Sequence, residues 1–244
     1  MLLGSFCIVG GAYASSKQTL NYYVVEDISA PFQITQEDAK HKGYISDIVE
    51  ELSSQLDIEL ITHVTPSPRI EMLLKDENVT DWIVYDSPAW NSVPQGIPLE
   101  TPVLKIEHSA IHCGHSHDFK GRLKGHSFAV LKHFRYPGLS ELARQGKIEL
   151  TPVKSYEQGF ELVDLDRVDG FIEMDTRLKY NLATQNKPPK CTMISGIGDV
   201  EPAYELILVV SKTVSEESRN HLNDALLRLK KSGFFEAALK KYTH

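Results

Sequence analysis

Apolar residues run through this chain in short blocks, separated by polar segments that carry glycine or proline. Residues 20–25 (LNYYVV) form a block too short for a helix and read as a buried strand. Pro31 fixes the loop that follows. Apolar positions then recur at Ile45, Ile48, Val49, Leu52 and Leu56, a spacing of three and four that predicts a helix beginning just past Gly43. A strand over 58–64, a break at Pro66 and Pro68, a short helix over 69–74 and a strand over 81–85 complete a β-α-β-α-β unit. Residues 127–172 repeat the pattern. Strand 127–131 leads to a helix over 138–144 that Gly146 closes, then to strand 147–153. A second helix opens on the capping box Ser155-x-x-Gln158, and strand 168–172 follows it. Near the C-terminus, Thr213-x-x-Glu216 has the same capping form. It opens a helix whose stripe of Leu222, Ala225, Leu226 and Leu229 faces a core, and Gly233 ends it.

Two more apolar strands, 104–112 and 204–211, lie where the chain would leave the first unit and return to it. The expected fold is therefore α/β with two lobes, residues 15–107 with 201–244 and residues 108–200. Each lobe is a mostly parallel sheet flanked by helices, and two hinge strands join them. A cleft between such lobes is a natural trap for a small molecule.

The chain is 41% hydrophobic and 24% charged, ample for packed cores. Its formal net charge of -7 argues against nucleic acid, which favours basic surfaces. No apolar run is long enough to span a bilayer. Residues 1–14 (MLLGSFCIVGGAYA) are uncharged and end in the small-x-small pattern Ala12-Tyr13-Ala14. They read as a secretory signal peptide cut after Ala14, although the positive leading segment is missing. A strand-forming or disordered N-terminus is the plainer alternative. Removing the segment removes Cys7 and leaves Cys113 and Cys191. In an exported protein these form either a disulfide or two buried thiols, and sequence leaves both open.

In parallel-rich sheets, ligands sit at the carboxyl ends of strands. That rule selects residues 26–32, 85–90, 132–136 and 173–175. Glu26 and Asp27 offer an acidic pair to an ammonium group, or simply a solvated loop. Arg135 stands after a strand and beside a helix start, where an anion is favoured. Arg69 follows Pro68 at a helix start, where a positive charge opposes the helix dipole. That suits a ligand role or a salt bridge. Glu173 and Asp175 are a second acidic pair, and Asp175 also fits as the cap of a helix beginning at Thr176. Trp90 and Phe134 offer rings to cover an apolar ligand face.

Several stretches resemble the type II periplasmic solute-binding proteins of ABC transporters, in particular the polar amino-acid-binding branch. They are Ala30-Pro31-Phe32, Gly43-Tyr44-Ile45-Ser46-Asp47-Ile48, Leu123-Lys124-Gly125, Arg167-Val168-Asp169-Gly170-Phe171, and Lys231-Ser232-Gly233-Phe234-Phe235 with Lys241-Tyr242. They occur in the family's order and cover most of residues 20–242. The resemblance implies a periplasmic, monomeric receptor that closes on one polar or charged, amino-acid-like solute. It would hand that solute to a transporter permease in the membrane or to a membrane sensor. The family's ligand positions fall on Glu26, on Tyr85, Asp86 and Ser87, and on Phe134, Arg135 and Tyr136. Its acid for the ligand's amino group falls near Met174, between Glu173 and Asp175. The family's arginine after the third strand is missing, because residues 88–93 read PAWNSV. Arg69 or Arg135 would have to replace it.

His108, His112, Cys113, His115 and His117 are dense enough to raise a metal site. The run begins inside a strand, where alternate residues face opposite ways, and no Cys-x-x-Cys supports it. No metal and no cofactor is expected. Motifs for phosphate loops, zinc proteases and serine hydrolases are missing from the sequence. The expected activity is binding without bond-making. Alternatives are a sensory module and a dehydratase-like enzyme on the same fold, with Glu173 as general acid.

Overall fold

The computed structural model describes residues 17–26, 28–36, 39–114, 119, 122–132 and 134–243. The expected signal segment 1–14, Asp27, His115 and His117 lie outside the described residues.

Strand β1 (Thr19–Val25) opens the chain, and the loop after it leads to α1 (Tyr44–Gln55). Helix α1 buries Ile45, Ile48, Val49 and Leu52, the stripe its spacing foretold. Gly43 precedes it at φ 108, a conformation that favours glycine. A Cβ there would stand 2.6 Å from the Phe32 carbonyl oxygen, so the loop packs onto bare backbone. Then come β2 (Glu59–Thr65), α2 (Ser67–Leu73) and β3 (Trp82–Asp86). Both β2 and β3 pair parallel to β1.

The expected single strand over 104–112 is two strands. After the short β4 (Ile97–Pro98), β5 (Leu104–Ile106) belongs to the first sheet, whereas β6 (His108–His112) belongs to the second. One residue, Glu107, separates them. Ile106 buries in the first core, and His108 pairs with Met174 across the second sheet. The two sheets demand different partners, and the strand breaks between them.

The second half runs β7 (Ser127–Leu131), α3 (Pro137–Arg144), β8 (Glu149–Val153), α4 (Tyr156–Asp164), β9 (Gly170–Met174), α5 (Asp175–Thr184) and β10 (Met193–Gly196). Strand β11 (Tyr204–Val210) then returns to the first sheet, and α6 (Glu216–Lys231) and α7 (Phe234–Lys240) close the fold. The sheet orders are β2-β1-β3-β11-β4, with β5 also on β11, and β10-β6-β9-β7-β8. Each core sheet mixes parallel and antiparallel pairs. The crossing strands β11 and β6 run against their neighbours β3 and β9.

Caps refine the sequence reading. The Ser155 hydroxyl accepts from the Gln158 N–H at 3.3 Å, as the capping box requires. The α6 cap is Ser215, which accepts from the Ser218 N–H at 3.1 Å, and not Thr213 as the motif suggested. Thr213 instead holds Asp81, accepting from its N–H at 2.8 Å. Asp175 is the first helical residue of α5 and not its cap, which is Met174. Strand β10 was not foreseen. Cys113 and Cys191, which flank β6 and β10, stand as a disulfide pair with Cα atoms 4.2 Å apart.

Candidate functional site

The two lobes meet over a cavity of about 310 Å³. Its floor is the first sheet, through Tyr23 and Val84, with Val93 of the loop after β3 and Ile70 of α2 beside them. Trp90 from the loop after β3 and Phe134 from the loop after β7 cover it from opposite lobes. Carboxylates of Glu26, Glu71 and Asp86 and cations of Arg135 and Lys154 reach its lining. The chemistry is an apolar chamber with charges of both signs.

Strand ends and the loops after them supply these groups, apart from Glu71, which lies on α2, because strand ends fix where loops begin. Asp86 ends β3, and its Oδ2 accepts from the Ser92 and Val93 N–H groups at 2.9 and 3.2 Å. Those bonds shape the loop that presents Trp90. Asp86 Oδ1 is buried with no hydrogen-bond partner among the described residues. Burial raises the Asp86 pKa, and the backbone N–H groups offset part of that rise.

Arg135 crosses from the second lobe to the first. It donates to the Trp90 carbonyl at 2.5 Å and stands 3.4 Å from Glu71. The loop carrying Arg135 is set by α3, whose N-terminal Gly138 and Leu139 N–H groups donate to buried Glu201. Aromatic contacts run across the hinge from Tyr85 to Trp90, Tyr204, His108 and Tyr136, at centroid distances of 5.5–6.3 Å. Both His108 nitrogens lack a hydrogen-bond partner among the described residues. Burial, and secondarily the charge of Arg177, lowers its pKa to about 4.

Beside the cavity lies a buried charged group that sequence reading missed. Arg177 of α5 is 1% exposed and Glu173 of β9 is 0% exposed. Their charged groups are 3.7 Å apart. Glu173 also accepts from the Tyr136 hydroxyl at 3.1 Å and from the Met174 N–H at 2.8 Å. The Arg177 guanidinium lies 4.2 Å from the Phe134 ring centroid and donates to the Ile28 carbonyl of the opposite lobe. Burial opposes the Arg177 charge, but Glu173 and the surrounding tyrosines outweigh it and hold the pKa above the ordinary arginine value.

Of the expected site residues, Glu26, Tyr85, Asp86, Trp90, Phe134 and Arg135 come together at the cavity. Five do not line it. Arg69 is exposed, because its turn of α2 buries Ile70 and turns the arginine to solvent. Ser87 is buried and caps its own loop, accepting from the Ala89 N–H at 3.2 Å. Tyr136 and Glu173 are consumed in the Arg177 network. Asp175 accepts from the Ser109 hydroxyl at 3.0 Å and pairs with Lys179 at 2.7 Å. For the arginine missing after β3, sequence alone offers Arg69 and Arg135. The four-residue step from Glu173 to Arg177 on a helix start was the available signal.

No protein-family model matches the chain, and no curated protein matches it in sequence. Solved structures do match it in three dimensions. One is the probable amino-acid ABC transporter extracellular-binding protein ytmK of Bacillus subtilis, at TM-score 0.72 and 12% identity, covering 93% of this chain and 97% of that one. Another is the periplasmic VFT2 domain of Bordetella pertussis BvgS, at TM-score 0.70 and 13% identity, with 92% and 93% covered. A third is an ancestral amino acid-binding protein described as a precursor of cyclohexadienyl dehydratase, at TM-score 0.67 and 14% identity, with 93% and 95% covered. The architecture is thus the two-lobe, Venus-flytrap fold of type II periplasmic solute-binding proteins.

Proposed function

We propose that this protein is an extracytoplasmic receptor that captures one small solute between its lobes and presents it to a membrane partner. The observation that carries this is the cavity of about 310 Å³ walled by both lobes, with Arg135 reaching from one to the other. A solute touching both walls binds the closed form better than the open one, and so shifts the population toward closure. The acids Glu26 and Asp86 suit a cationic group. Lys154 and Arg135 suit an anionic one, and the rings of Trp90 and Phe134 suit the body between. This favours a small zwitterionic or charged solute of amino-acid-like size, held without bond-making. Similarity to amino-acid ABC transporter binding proteins supports a permease as the partner and a place outside the cytoplasm, and similarity to a periplasmic domain supports the periplasm as that place. Similarity to the BvgS domain supports a membrane sensor as the second reading. For the dehydratase reading, the expected acid Glu173 is ion-paired outside the cavity lining, which does not favour it. A thermal-shift screen of amino acids, organic acids, amines and sugars tests the proposal. A true solute raises the unfolding midpoint with concentration. A folded protein that no class shifts would sink it.

A further inference from the structure

We infer that Arg177 is a tethered cation filling a guanidinium-binding cradle between the lobes, so that the protein closes over its own side chain with no solute present. Four observations carry this. Arg177 belongs to α5 of the second lobe, yet it donates to the Ile28 carbonyl in the first. Its guanidinium lies within 4.2 Å of the Phe134 centroid, 5.9 Å of Tyr156 and 6.0 Å of Phe32, the last again from the first lobe. A wholly buried carboxylate, Glu173, stands opposite. One helical turn on, the Asn181 amide donates to the Ala30 carbonyl at 3.4 Å, fastening the same face of α5 to the same loop.

Aromatic faces, a carboxylate and a backbone carbonyl, drawn from two lobes, are what a free guanidinium or alkylammonium ion would need for capture. Here the occupant is covalently attached, so its effective concentration is fixed by the chain and not by the surroundings. Closure then needs no guest. Glu173 is also neutralised and cannot receive the ammonium group of a solute. In the cleft reading proposed above, that group is left to Glu26 or Asp86, on the other side of the cavity. Arg177 therefore sets specificity by denying one subsite.

Solute-free small-angle scattering of the unaltered protein, together with Arg177→Met, tests the inference. The expected result is a closed profile for the parent and a larger radius of gyration for Arg177→Met. Millimolar methylguanidinium should restore the compact profile of Arg177→Met and raise its melting midpoint by a few degrees, while leaving the parent unmoved. Arg177→Met/Glu173→Gln should lose that rescue. An open profile for the solute-free parent would overturn the inference even if every variant fails to fold. So would a compact Arg177→Met that methylguanidinium does not stabilise. Neither readout uses the solute sought by the screen, so failure of the solute screen would leave this result standing, and the converse also holds.

Discussion

The Arg135 guanidinium donates to the Trp90 carbonyl 2.5 Å away, which ties the loop after β7 to the loop after β3 across the cleft. The same side chain stands 3.4 Å from Glu71, half in solvent, and that pair is worth little. A charge-assisted bond to a carbonyl is worth about 1.5–3 kcal/mol. Most of the latch is therefore the carbonyl bond. We expect Arg135→Ala to weaken solute binding by about tenfold, and Glu71→Ala by no more than about threefold. Isothermal titration with the solute found by screening compares them. Equal losses would show that the ion pair holds the cleft.

The disulfide pair Cys113 and Cys191 encloses a long stretch of the second lobe, with a sequence separation of 78. Closing a loop of that length restricts the unfolded chain by about 4.5 kcal/mol in the chain-entropy model. Reduction should therefore lower the urea midpoint steeply while leaving the folded architecture intact. Mass spectrometry before and after reduction checks the bond itself, as a gain of two hydrogen atoms. Free thiols in protein that was never reduced would reject it.

Much of the fold was legible because it is local. The stripe of α1, the strand 127–131 and the α6 core residues are written in spacing, which neighbouring residues alone determine. The break at Glu107 was not legible, since it depends on which sheet each half of an apolar run joins. Strand β10 was illegible too. It is short and has no fully buried residue, and it exists because β6 lies beside it. At the site, strand-end reasoning found Asp86, Trp90 and Arg135, whose positions follow from topology. It missed Arg177, because Glu173 is the one partner near it in sequence that spacing could suggest, while Ile28 and Phe32, which complete its surroundings, are far away in sequence.

Gly138 bears on the same latch. A Cβ there would stand 2.0 Å from the Val200 carbonyl oxygen and 3.0 Å from Glu201 Oε2. Backbone cannot yield as a flexible side chain can, so the N-terminus of α3 must move away from Glu201. Gly138→Ala should cost about 1–3 kcal/mol of stability, as overpacking does. It should also weaken solute binding, because Arg135 lies three residues before it. Gly198→Ala, with nothing within 4 Å of its Cβ, serves as the control and should stay within about 0.5 kcal/mol. Urea denaturation of the two variants decides the point.

His108 sets a pH limit on the fold. Its pKa falls from 6.5 to about 4 on folding, chiefly through burial. Between those values the unfolded chain takes up a proton that the native ring refuses. Stability is therefore fully present above pH 6.5 and drains as pH falls toward 4, by up to about 3 kcal/mol. His108→Phe keeps a ring against Tyr136 and Tyr204 and removes the titration. Its stability should fall less than that of the parent between pH 7 and pH 4.5, by about 2 kcal/mol or more. Urea unfolding of both proteins at the two pH values measures the difference. Parallel losses would mean that the acid sensitivity lies with the carboxylates and not with this histidine.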